Sequence, residues 1–202
     1  MPVFNNALAG AAGSAGGAAG YKIERSLRFN VSDSTDLSKT FSSAGNRRTW
    51  TFSAWIKFCD PAGTSGIFEC PYPGSGGTIS NTFEVWYTVG QIHITDYGTY
   101  YFSSDARLRD PSAWGHLVIR VDTTEGTQAN RIRLYWNGEQ LVNTASGSIS
   151  QNADLAVNTA ALHKIGNWRN TTYANLYFAE IHHVDGQSLD PTSFGELDAN
   201  TG

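Results

Sequence analysis

The chain has 202 residues, 40% hydrophobic and 12% aromatic, which suits one domain with a sizeable core and excludes a disordered chain. Its formal net charge is −4, and its basic residues are scattered singly or in pairs such as Arg47-Arg48, which argues against nucleic acid as a partner. No apolar run approaches the roughly 20 residues that a transmembrane helix takes.

Residues 1–20 differ from everything after them. The stretch ALAGAAGSAGGAAG, Ala7 to Gly20, is almost entirely Ala and Gly. Such side chains cannot build a core. The segment also lacks the Lys/Arg-rich start and continuous apolar centre of a signal peptide. Small side chains do let a backbone approach another surface closely, where its N–H and C=O groups can extend a neighbour's sheet. Residues 1–20 are expected to be an anchoring arm with Val3, Phe4 and Leu8 as apolar anchors, and residues 21–202 the folded domain.

From residue 21 the chain reads as short strands between turns. SLRFN alternates Leu27 and Phe29 with polar neighbours. TWTFSAWIKF is the strongest strand signal, placing Trp50, Phe52, Ala54, Ile56 and Phe58 on one face and Trp55 on the other. FEVWYTV and QIHITDY, separated at Gly90, predict a hairpin. In HLVIRVDTT, Leu117, Ile119 and Val121 alternate toward a core. RIRLYWNGEQLV carries Asn137-Gly138, a pair suited to the positive φ values of a tight hairpin turn. HKIGNW and NLYFAEIHHVDG give two further strands, and SLDPTSFGEL one short helix with Pro191 in its first turn. Many short strands, almost no helix and no βαβ pattern predict an all-β antiparallel sandwich or barrel.

Cys59 and Cys70 lie near the ends of apparent strands, and their spacing does not decide between a disulfide and two buried thiols. With no CxxC and no Cys/His cluster, no structural zinc site is expected.

Taken in order, SLRFN, SSAGNRRTWTFSAWIKF, DPSAW with HLVIRVDTT, RLYWNGEQL, IGNW and VDGQSLDPTSFGE resemble the concanavalin A-like, LamG-type jelly-roll domain of bacteriophage virion proteins, tail fibres among them. The resemblance spans about residues 21–198. It implies a jelly-roll β-sandwich of two antiparallel sheets and a place on the virion surface, as a capsid decoration or fibre protein. Assembly in bacterial cytoplasm implies free thiols. Cys59 and Cys70 are not part of the pattern the resemblance rests on.

Three kinds of site are weighed on this fold. Glucanases of similar shape set paired carboxylates on one strand. A Glu-x-Asp-x-Glu run is absent here, and the nearest same-face polar pair is Glu180 with His182, so no catalytic residue is expected. Asp122, Asn130 and Asn137 could converge on calcium, but ordinary turn chemistry accounts for them, and no metal or other cofactor is expected. Loop aromatics beside polar side chains suit a sugar. Trp168, Arg169, Asn170 and Tyr173 in GNWRNTTY, with Tyr97 and Tyr100 in TDYGTYYF, are the candidate glycan-binding residues. Such rings equally suit a sandwich edge or a subunit interface.

The expected function is that of a non-enzymatic virion surface protein. Its arm would engage the major capsid protein, another virion protein or neighbouring copies, and it would self-associate through repeated weak contacts. The alternative is a tail-fibre adhesin that recognises a host surface glycan. A glycan hydrolase is a third, less favoured reading.

Overall fold

The computed structural model describes residues 23–73 and 82–195. The expected arm at 1–20, with Val3, Phe4 and Leu8, lies outside the described residues.

Fourteen strands are described: β1 Leu27–Phe29, β2 Leu37–Thr40, β3 Thr49–Phe58, β4 Thr64–Pro71, β5 Thr82–Thr88, β6 Gln91–Asp96, β7 Thr99–Ser103, β8 Gly115–Asp122, β9 Ile132–Trp136, β10 Glu139–Gln140, β11 Leu162–Ile165, β12 Asn167–Trp168, β13 Thr172–Tyr173 and β14 Leu176–Asp185. Twelve of them form two six-stranded sheets. The first runs β1-β14-β3-β8-β9-β10 and the second β2-β11-β4-β5-β6-β7; β12 and β13 form a separate hairpin. Every pairing is antiparallel. This is the expected all-β sandwich.

The core lies between the sheets. Trp50, Phe52, Ala54, Ile56 and Phe58 of β3 all enter it, as their period of two predicts. Across the β3–β8 ladder, Trp50 faces Val121, Phe52 faces Ile119 and Ala54 faces Leu117. The second sheet contributes Phe68, Phe83, Val85, Tyr87, Ile92 and Ile94 from the other side. Each fully buried large side chain contributes roughly 1.5–3 kcal/mol by leaving water.

Three two-residue turns set the hairpin registers. Val89-Gly90, Tyr97-Gly98 and Asn137-Gly138 all have positive φ at both positions, the geometry that follows strand twist. The expected short helix is a single 3-10 turn, Pro191–Ser193, with Pro191 at its start. One strand differs from expectation. HKIGNW breaks at Gly166, whose φ is +85°, so β11 stays in the second sheet while Asn167 and Trp168 leave to form the β12–β13 hairpin.

The outer face of the first sheet is covered by the segment after β14. Thr51 Oγ1 donates to the Gln187 carbonyl at 2.7 Å and accepts from Leu189 N–H at 2.8 Å. Arg120 donates to Ser188 Oγ at 2.6 Å and Asp190 Oδ1 at 2.8 Å. Trp55, on the outward side of β3, packs with Ile23, Trp114 and Ala179 and stacks on His116. Cys59 is half-buried, Cys70 is buried, and both are free thiols.

Candidate functional site

The outer face of the second sheet carries side chains of the opposite parity to its core residues. Glu69 on β4, Glu84 and Trp86 on β5, His93 and Thr95 on β6 and Lys164 on β11 belong to this set. Glu69 pairs directly with Glu84, Glu84 with Thr95 and Trp86 with His93 across neighbouring strands. The β12–β13 hairpin lies over them. It can approach because Gly66 has no side chain: a Cβ there would meet the Asn167 backbone at 2.2 Å.

The hairpin is fastened mainly through Glu84, which is fully buried. Arg169 grips that carboxylate with two donors, Nε to Oε1 at 2.9 Å and an NH2 to Oε2 at 3.0 Å. Trp168 Nε1 donates to Oε2 at 3.1 Å and Thr95 Oγ1 at 2.7 Å. One carboxylate thus meets four donors, two of them from a fork that matches its shape. Arg169 N–H also donates to Glu69 Oε2 at 2.6 Å. Arg169 and Asn170 both adopt left-handed backbone conformations, with φ of +58° and +56°. Asn170 N–H donates to Asn167 Oδ1 at 2.9 Å, closing the turn.

Aromatic rings continue the patch. Trp168 stacks on Trp86 at 4.7 Å between centroids, with 16° between planes, and the Arg169 guanidinium sits 4.3 Å from the Trp168 ring. Trp86 meets His93 at 4.5 Å and Tyr100 at 6.0 Å, and His93 meets Tyr100 edge-on. Trp86 is almost wholly covered, whereas Tyr100 is 43% exposed and Trp168 half-buried. Burial, with a smaller contribution from Arg107, lowers the His93 pKa and favours a neutral ring. At the rim, Lys164 Nζ lies 3.7 Å from Asp36 and 4.0 Å from Glu69, and donates to Asn170 Oδ1. Burial pushes the Glu69 carboxyl above its ordinary value.

Of the residues singled out in the sequence, Trp168, Arg169, Asn170 and Tyr100 fall on this one face. Tyr173 is on β13, opposite Asn167, and is half-buried. Tyr97 occupies the β6–β7 turn, where its ring faces Tyr72 at 4.6 Å, in a separate aromatic pair. Glu69, Glu84, Trp86 and His93 carry no such mark in the sequence. The Glu69–Glu84 pair joins residues on different strands, so spacing along one strand does not reveal it.

Glu180 and His182 are also brought together, 3.7 Å apart at a bulge in β14 where Glu180 has φ of +47°. They border a cavity of about 450 Å³ on the first sheet with Ser53 and His116, whose Oγ and Nε2 are 2.8 Å apart. Ser53 is fully buried, and burial lowers the His116 pKa to about 4. A cleft of about 540 Å³ opens elsewhere, beside Phe41, Phe68, Asn158, His163, His183 and Asp185. The three residues weighed for calcium do not converge: Asp122 and Asn130 lie near the start of β9 and Asn137 at its far end. Among the described residues, no group of three or more His, Cys, Asp or Glu is placed to hold a metal ion. No described helix is long and apolar enough to cross a membrane.

Residues 22–184 match the Laminin_G_3 family, described as the concanavalin A-like lectin/glucanases superfamily. The chain belongs to this family. Among solved structures, domains LG4-5 of the mouse laminin alpha1 chain match with a TM-score of 0.57 at 17% identity, over 92% of this chain and 48% of theirs. Trypanosoma rangeli sialidase in complex with sialic acid matches with a TM-score of 0.51 at 14% identity, over 72% of this chain and 22% of its own. The CBM40 of Ruminococcus gnavus IT-sialidase, bound to alpha2,3 sialyllactose, matches with a TM-score of 0.49 at 16% identity, over 84% of this chain and 99% of that one. The chain therefore spans about half of the laminin fragment and about a fifth of the sialidase. At these identities the likeness is one of fold. No curated protein matches the sequence.

Proposed function

We propose that this protein is a non-enzymatic glycan-binding module carried on the outside of a bacteriophage particle. One observation carries the binding reading: Trp168 and Arg169 are locked onto a buried carboxylate beside the exposed ring of Tyr100. An aromatic patch whose side chains are already ordered loses little freedom on binding, and ring faces suit the C–H faces of a sugar.

The same geometry supports the non-enzymatic reading. A glycosidase needs two carboxyl groups flanking the scissile bond, with room for that bond between them. Glu69 and Glu84 are the paired carboxylates here. Glu69 is 4% exposed, Glu84 is 0% exposed, and the hairpin covers both. No substrate oxygen reaches them while it is in place.

The particle location rests on the resemblance of the quoted segments, and attachment through residues 1–20 on their Ala/Gly composition. The proposed partners of that arm are the major capsid protein or another virion protein, and further copies of this chain.

The experiment is binding of the purified protein to a glycan array and to host cells, beside Trp168→Ala and Tyr100→Ala. Both variants are expected to lose at least about tenfold in affinity, which corresponds to about 1.4 kcal/mol. Unchanged binding by both would refute this face as the site. Release of soluble sugar is expected to stay at background. Deleting residues 2–20 is expected to leave a folded protein that no longer attaches to particles lacking it.

A further inference from the structure

We infer that the face around Trp168 selects uncharged sugars and rejects anionic ones, and that Glu84 sets this selectivity by engaging Arg169. The inference rests on the glycan-binding reading and narrows it to a ligand class.

A protein site recognises a carboxylated or sulfated sugar through a cation with free donors, most effectively the planar fork of arginine. Two cations lie within this patch. Arg169 turns the Nε–Nη2 edge of its guanidinium to both oxygens of Glu84, which balances its charge, and its face lies on the Trp168 ring. Lys164 is held between Asp36, Glu69 and the Asn170 side chain. A third cation, Arg107, is close enough to influence His93, but its guanidinium donates to the Val89 carbonyl at the β5–β6 turn.

Against Arg169 and Lys164 stand three carboxylates: Glu69, Glu84 and Asp36. An anion approaching Arg169 or Lys164 therefore meets a cation already neutralised, with a carboxylate behind each. Like charges juxtaposed at a water-poor interface are strongly unfavourable. Losing the Arg169–Glu84 contact to free the fork would strand a buried carboxylate.

A neutral sugar meets none of these costs. The exposed Tyr100 ring offers stacking surface, and the half-buried Trp168 lends apolar contact beside it. The Tyr100 hydroxyl and the Asn170 amide can exchange hydrogen bonds with sugar hydroxyls. Discrimination of this kind works by an unfavourable element as much as by an attractive one.

The test uses an array on which each acidic glycan has an uncharged counterpart: sialylated and desialylated chains, and oligogalacturonate with its methyl ester. Hits are followed by calorimetric titration. The neutral member of each bound pair is expected to bind at least about tenfold more tightly than the acidic one. Equal or tighter binding of the acidic member overturns the selectivity and leaves the glycan-binding reading standing. No binding to any member overturns both.

Glu84→Gln, which leaves the Arg169 fork without its anion, is expected to narrow or reverse the preference. If Glu84→Gln folds, by circular dichroism, and still rejects the acidic members as strongly, Glu84 is not the selector. Asp36→Asn, at the partly exposed rim, provides the parallel variant should Glu84→Gln not fold. It removes one of the two carboxylates beside Lys164 and is expected to strengthen acidic binding, and no change would overturn the charge argument.

Discussion

The two outer faces of the sandwich are both covered, but by different chemistry. On the first sheet the cover is the segment after β14, held by Thr51 bonded twice to its backbone and by Arg120 bonded to Ser188 and Asp190. On the second sheet the cover is a short hairpin, held mainly by one buried carboxylate that takes three donors from it. The first cover distributes its contacts, so no single side chain decides it. The second concentrates them at Glu84, which orders the Trp168–Arg169 turn but makes the face depend on one residue.

The sharpest way to break this contrast is Glu84→Ala. It leaves Arg169 without its partner and Trp168 Nε1 without its acceptor, and should cost about 3 kcal/mol or more in urea unfolding. Arg120→Ala on the other face removes an ion pair whose Asp190 side is 58% exposed, and should cost less than about 1 kcal/mol.

Acid should act on the buried imidazoles and on the buried carboxyl groups with opposite sign. Burial lowers His116, on the first face, to about 4, and likewise lowers His183 beside the large cleft. From pH 6.5 down toward 4 the unfolded chain takes up protons at these imidazoles and the folded chain does not, so stability is lost, by at most about 3 kcal/mol for each. Glu69 on the second face, and Asp96, raised to about 6, behave oppositely. Their folded forms hold a proton more tightly, so they restore stability as pH falls through their raised values. Urea unfolding between pH 7 and 4 should therefore show a shallower acid loss in His116→Gln and a steeper one in Glu69→Gln, each compared with the parent.

Trp168→Ala separates binding from stability. Affinity for the glycan should fall at least about tenfold, with a stability loss of about 1 kcal/mol from the lost stack on Trp86. Tyr97→Ala, in the neighbouring turn, should leave affinity unchanged by titration. A small gain is expected at Val89, a β-branched residue held at φ of +47° and 50% exposed. Val89→Asn should stabilise by about 1 kcal/mol in thermal unfolding, because asparagine tolerates that conformation far better.

The regular parts of this molecule are readable from its residues because their cause is local. The alternation of Trp50 through Phe58 places β3 in the core, and Asn137-Gly138 locates its hairpin turn. Trp168, Arg169 and Asn170 stand out as an aromatic beside polar groups in a loop. What anchors them does not stand out. Glu69 and Glu84 are neighbours only through the β4–β5 register, and Trp86 looks like one more alternating strand residue until the hairpin stacks on it. The break at Gly166 hides inside an apparently continuous strand, since glycine is tolerated in strands and only the positive φ reveals the departure.

That break also matters for how the protein can change. The hairpin leaves β11 of one sheet at Gly166 and rejoins β14 of the other after Ala174, and Ala174 N–H donates to the Gly166 carbonyl at 2.9 Å. The two ends of the excursion are thus stapled together beneath it. Residues 167–173 should therefore be exchangeable as a cassette, provided that a partner for the buried Glu84 is kept. A new recognition surface could be grafted there while the scaffold that carries it stays the same.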